Sequence, residues 1–330
     1  MAVLVTGCAG YIGSVLSRLL LERGFEVLCV DGLYFGDVGI RELRGERGFT
    51  LIVEDVRRLD PLKVEWGRVE AVVDLAAISQ PDPLGRVGED LFEDVNYRGA
   101  VRTAELAKKH GVSHYLFAST CSVYGYSEAV VDESSPPNPL ESYAKMKARV
   151  EARLFEMRDA RFQPTVFRIA TVYGYSPKMR FDLVVNAMTL SLYKTGRIRV
   201  GRPGTQMRPV VHVRDVAQAF LLALEKPEKS RGEIFNVGSN DQNFKIADLA
   251  HAVGKAVGKP YEVEMYGEPD ARSYVVNFSK IERVLGFTAK YDVATGAREV
   301  YKALEEGLVR DEPWTFVIDW WAQLRARGVA

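Results

Sequence analysis

The chain opens on an unbroken apolar run, residues 2–6 (AVLVT), the pattern of a strand buried on both faces of a parallel sheet. A glycine-rich turn follows. Apolar positions at Ile12, Leu16, Leu19 and Leu20 are then spaced for one face of a helix, which Gly24 stops. Residues 25–30 (FEVLCV) repeat the strand pattern and end at Asp31. Further runs at 50–53 (TLIV), 70–75 (EAVVDL), 114–118 (HYLFA) and 164–169 (PTVFRI) predict four more strands. Helical stretches at 91–110 and 143–158 lie between them, the second rich in strong helix formers. This alternation predicts an α/β fold with a doubly wound parallel sheet.

Beyond residue 174 the regular alternation fades. Segments 176–205 and 240–270 read as insertions rich in Lys, Arg, Pro and Gly, while 210–239 returns to strand–helix–strand character. The expectation is two domains. Residues 1–174 with the returning segment 209–239 form the sheet domain, and 175–208 with 240–330 form a smaller α/β domain across a cleft.

Composition narrows the class. The 330 residues carry 44 basic and 44 acidic side chains, so no net field recruits nucleic acid or an anionic membrane. No apolar run approaches a membrane span, and the leading MAVLVTG lacks a basic stretch before a cleavage site, which makes the expected location cytoplasmic. Three cysteines (Cys8, Cys29, Cys121) are too few for a disulfide framework, and their spacing fits no metal motif.

The turn after the first strand, Thr6-Gly-Cys-Ala-Gly-Tyr-Ile-Gly13, spaces its glycines as GxxGxxG. Gly7, Gly10 and Gly13 allow a tight turn, close approach of a pyrophosphate, and packing of helix on strand, as in a Rossmann dinucleotide site. The helix start then offers free N–H groups to phosphate. Asp31, about 20 residues on, is placed to accept ribose hydroxyls and to repel a 2′-phosphate, so NAD is the expected cofactor. Asp55 and Val56 would flank the adenine, and the small residues in Leu75-Ala76-Ala77 would let a dinucleotide lie close.

Tyr143 and Lys147 fall on one helical face, four residues apart. A phenol is a poor base at neutral pH, and a neighbouring ammonium favours its ionised form. Tyr143 is therefore the candidate base and Lys147 its partner, which could also hold the nicotinamide ribose. The prolines of Pro136-Pro-Asn-Pro-Leu-Glu-Ser-Tyr143 delay the helix so that Tyr143 falls in its first turn. Upstream, Phe117-Ala-Ser-Thr-Cys-Ser-Val-Tyr-Gly125 sets hydroxyls at the carboxyl end of a central strand. Thr120 is the candidate second proton partner.

These motifs, followed by Arg168-Ile-Ala-Thr-Val-Tyr-Gly174 and Val211-His-Val-Arg-Asp-Val-Ala217, resemble the nucleotide-sugar epimerase/dehydratase branch of the extended short-chain dehydrogenases over essentially the whole chain. The resemblance implies tightly held NAD, oxidation of a sugar hydroxyl by Tyr143, and a nucleoside diphosphate sugar bound in the second domain. It adds Tyr11, Ile12, Asn96 and Ser119 to the cofactor set. It also implies a homodimer through helices 91–110 and 143–158.

Within that branch, dehydratases carry a carboxylic acid, and 3,5-epimerases a cysteine, two residues after the catalytic hydroxyl. Here that position is Ser122, and Cys121 sits one place early. Elimination and C3/C5 epimerisation need such a group, whereas inversion at C4 does not. The pattern is thus most similar to the UDP-hexose 4-epimerases, which interconvert UDP-glucose and UDP-galactose through a 4-keto sugar. Thr171 stands where those enzymes carry Asn and where UDP-glucuronate 4-epimerases favour Thr, so the C6 group stays open, as does a 4-ketoreductase or dehydratase activity. The expected substrate residues are Thr120, Ser122, Thr171, Asn186 (first turn of a helix at 184–194), Arg208, Asp270 and Arg272. His212 and Asp215 are expected to tie the returning segment to the sheet. Trp314, Phe316, Trp320 and Trp321 are expected to pack on the second domain.

Overall fold

A computed structural model of the chain describes residues 1–79, 82 and 84–329. Seven parallel strands form the main sheet, in the order Ile234–Val237, Gln163–Ile169, His114–Thr120, Val69–Asp74, Ala2–Thr6, Glu26–Asp31, Phe49–Val53. All six expected strands are among them, within two residues at each end. Alternate side chains of the first strand feed opposite faces. Val3 and Val5 pack with Leu16, Phe167 and Phe220 on one side, and Leu4 packs with Val72, Tyr115 and Leu154 on the other. The strand order reverses between Ala2–Thr6 and Val69–Asp74, and a crevice opens there at the carboxyl ends of the strands.

Three expectations need correction. The stretch 91–110 is not one α-helix: Glu89–Glu93 leads into a π-helical turn, Asp94–Gly99, before Ala100–Lys109. The returning segment forms strand Met207–His212, helix Val213–Glu225 and strand Ile234–Val237, but only the last joins the main sheet. Met207–His212 lies instead between Asn243–Lys245 and Thr171–Tyr173 in a three-stranded sheet. The segments read as insertions supply the smaller α/β elements: helix Val184–Thr195, expected at 184–194, parallel strands Arg197–Gly201 and Glu262–Tyr266, and helix Ile246–Val257. Their short amphipathic pieces give a weaker periodic signal than the buried strands.

The third correction concerns the cysteines. Cys8 and Cys29 are joined by a disulfide, with α-carbons 5.5 Å apart, although three cysteines are too few for a disulfide framework. They are 21 residues apart in sequence but become neighbours because the glycine turn folds back beside the second strand. Among the described residues, no helix is long and apolar enough to cross a membrane.

Candidate functional site

A cavity of about 690 Å³ runs from the crevice across to the smaller elements. At one end, Gly7 (φ +66°) sits so close to the neighbouring loop that a β-carbon would come within 2.8 Å of the Ala76 nitrogen. At Gly13 a β-carbon would lie 2.6 Å from the Cys8 α-carbon, so only glycine lets the helix rest on the turn. Helix Tyr11–Glu22 has no side-chain cap at Gly10, leaving its first-turn N–H groups to the cavity. Asp31 accepts from the backbone N–H groups of Ala9 (3.0 Å) and Leu33 (2.8 Å) and faces the same space. Asp55 is held by Arg57 and the Tyr34 hydroxyl, with Val56 beside it. Beneath Leu75, Ala76 and Ala77, the Thr6 hydroxyl accepts from two backbone N–H groups and donates to buried Asp74, which also accepts from Tyr115 (2.6 Å). This uncapped helix start, glycine cradle and carboxylate fit a dinucleotide.

Tyr143, Lys147, Thr120, Ser122 and Thr171 line the middle of the cavity. Helix Ser142–Glu156 puts Tyr143 in its first turn, as the proline lead-in predicts. The Lys147 ammonium donates to the Ala118 carbonyl (2.7 Å) and lies 6.0 Å from the Tyr143 ring centre. It sits in the field of buried Asp74 and Glu151. Even so, burial lowers its pKa to about 8. Burial likewise pushes the Tyr143 phenol up to about 12, and the cation that pulls against this is Arg180. Sequence reasoning gave that role to Lys147 and missed Arg180. Arg180 is anchored on Ser79 and paired with Asp182 (3.0 Å), 37 residues downstream of Tyr143 in sequence but adjacent in the fold.

Thr120 accepts from the Ser122 N–H (3.1 Å), and the Ser122 hydroxyl meets that of Tyr274 at 3.3 Å. Cys121 points away: its thiol donates to the Arg168 carbonyl and is fully buried, which raises its pKa far above the ordinary range.

At the other end, Arg208, Asp270 and Arg272 converge. Arg208 donates to Asp270 (2.7 Å) and to the Arg272 carbonyl (2.6 Å), and Arg272 bridges Asp270 and Glu141. Burial raises the Asp270 carboxyl, but the two guanidiniums outweigh it and hold the pKa at about 2. Arg199, Arg202 and Gln206 extend this polar rim.

Several expected site residues lie elsewhere or are already committed. Asn96 is fully buried behind the wall, its amide bonded to the Ile78 N–H (2.7 Å) and carbonyl (3.1 Å). Asn186 does fall in the first turn of Val184–Thr195, but it is buried there. It accepts from the Gly174 N–H and donates to the Tyr11 hydroxyl and the Arg180 carbonyl, so it staples the wall and does not meet a phosphate. The Ser119 hydroxyl is taken by Glu151, itself paired with Arg168 (2.8 Å). His212 and Asp215 bind Glu299 and the Lys290–Tyr291 backbone, not the main sheet. The Trp320 indole donates to the Tyr34 carbonyl (2.7 Å), and Trp321 packs on Tyr34 and Phe35. The C-terminal helix thus closes over the Asp31 end. An aromatic cluster announces burial but not its partner.

The model of the NAD dependent epimerase/dehydratase family matches residues 3–238. The chain belongs to this family. Its members are NAD-dependent enzymes, and NAD is the cofactor that the cavity's Asp31 end accommodates. A UDP-glucose 4-epimerase of Corynebacterium glutamicum is 28% identical over 309 residues, covering 88% of this chain and 92% of that protein. A UDP-glucuronate 4-epimerase of Thermodesulfobacterium geofontis is 28% identical over 330 residues, covering 94% and 95%. The UDP-glucuronic acid 4-epimerase of Bacillus cereus, solved with NAD, superposes with a TM-score of 0.82 at 24% identity, covering 95% of this chain and 99% of that one.

Proposed function

We propose that the protein is a nucleotide-sugar 4-epimerase that interconverts UDP-glucose and UDP-galactose. The carrying observation is the lining around Tyr143. Thr120, Ser122 and Thr171 bring only hydroxyls, and Cys121 is turned into the core. Elimination of water or inversion at C3 or C5 needs a further acid or base at the ring, and inversion at C4 needs none.

NAD, when bound, supplies hydride acceptance and return. Gly7, Gly10, Gly13, the N–H groups of Tyr11 and Ile12, and Asp31 hold its adenosine and pyrophosphate, with Asp55, Val56, Leu75, Ala76 and Ala77 along it. Tyr143 takes the proton of the sugar C4 hydroxyl, assisted by the Thr120 hydroxyl, and returns it after the 4-keto sugar has presented its other face. Lys147 orients the nicotinamide ribose. Arg208, Asp270 and Arg272 hold the nucleoside diphosphate. Residues 1–174 and 209–239 thus serve the cofactor, and 175–208 and 240–330 the nucleotide sugar. The working unit is a cytoplasmic homodimer through the helical segments 91–110 and 143–158.

One observation favours UDP-glucuronate as the substrate: Arg180 acts electrostatically on Tyr143, where a C6 carboxylate would gain from a cation. The purified protein, incubated without added cofactor with UDP-galactose and separately with UDP-glucuronate, is expected to form the C4 epimer of one, resolved by chromatography. Conversion of neither, with NAD also supplied, refutes the proposal.

A further inference from the structure

Lys178 follows strand Thr171–Tyr173 and lies outside the main sheet, yet it lines the cavity with Gly10, Asp31 and Phe35. It is 3% exposed. Its stem packs against the loop that follows the second strand: a β-carbon at Gly39 would meet those of Lys178 and Ser14, each at 3.1 Å. The ammonium stands 4.3 Å from the Phe35 ring centre and gives one N–H to the Trp314 carbonyl (2.6 Å). Among the described residues, no carboxylate comes within ion-pair distance of it. The charges that face it are Asp31 on the second strand and Arg180 and Asp182 on its own segment. A buried cation without a counter-ion is costly. Burial, with Arg180 adding to it, lowers the Lys178 pKa to about 7. Beside an uncapped helix start, the missing partner is an anion from outside the chain.

We propose that Lys178 is a cofactor-binding residue that contacts the pyrophosphate, so that the segment after the sheet domain completes the dinucleotide site. The inference rests on the reading that the Gly7–Gly13 turn and Asp31 hold NAD. Trp314 positions the ammonium, which couples closure of the C-terminal segment to the cofactor.

Calorimetry with ADP-ribose, which carries the pyrophosphate, and adenosine, which lacks it, tests this. Lys178→Met is expected to weaken ADP-ribose about 10–100-fold, the worth of a charge-assisted hydrogen bond, and adenosine less than about 2-fold, with Lys178→Arg restoring most of the loss. Equal ADP-ribose affinity in Lys178→Met and the native protein overturns the inference. So does a variant that loses NADP far more than NAD, because the cation then reads a 2′-phosphate. If Lys178→Met does not fold, the native protein decides. Its ADP-ribose affinity, unlike that for adenosine, should fall as pH rises through about 7, where the free lysine sheds its proton; a flat profile refutes the proposal. Native protein that binds no ADP-ribose at any pH removes the cofactor reading itself.

Discussion

At the Asp31 end of the cavity, the groups that face a ligand are mainly backbone N–H groups, small residues and the short carboxylates of Asp31 and Asp55, set on loops of a continuous parallel sheet, with Lys178 reaching in beside them. At the Arg208 end they are long arginines from separated segments, held in place by Asp270 and Glu141. The first arrangement is rigid because the sheet fixes it. The second depends on mutual ion pairs, and a guanidinium freed from one carboxylate can turn to another anion. An invariant dinucleotide suits the first kind of site, and a variable sugar nucleotide the second.

Variants should separate the two ends. Tyr143→Phe, at the junction, should lower kcat about 10³-fold while leaving NAD affinity within about 3-fold, by steady-state kinetics and calorimetry. Arg208→Met should raise KM for the nucleotide sugar about 10–100-fold and leave NAD binding unchanged; a matching loss of NAD affinity would erase the distinction between the ends. Asp31→Asn should do the reverse, weakening NAD about 10-fold and relaxing the rejection of NADP with little change in sugar-nucleotide KM.

A smaller effect concerns pH. Burial depresses the Lys147 pKa to about 8, so its charge is present below that pH and lost above it. The rate should fall as pH rises through about 8, and Lys147→Arg, which stays charged, should lack that alkaline limb. Sedimentation at micromolar concentration should show a dimer, and a monomer would refute the helix-pair interface.

What could be read from the chain follows the same division. The glycine turn, Asp31 and Asp55 lie in or next to strands with strong apolar runs, and the Tyr143–Lys147 pair opens a helix that its proline lead-in announces, so their places follow from local pattern. Arg180, Lys178 and Ser79 come together only through the path of the chain across the crevice, and no local spacing marks them. Asn186 shows the limit of position alone. Its first-turn location was legible, but its burial against Tyr11 was not. Cys8 and Cys29 repeat the lesson, joined by a fold-back that a sequence separation of 21 residues conceals.

The most direct test follows the hydrogen at C4. UDP-galactose and UDP-glucuronate carrying deuterium at C4 would be incubated with the protein without added cofactor, and the products examined by NMR and mass spectrometry. The account predicts that one substrate yields its C4 epimer with the deuterium still at C4, with no solvent hydrogen at C3 or C5 and no net NADH. Deuterium found at C6, or solvent hydrogen at C5, would mean elimination or ring-carbon epimerisation and would contradict it.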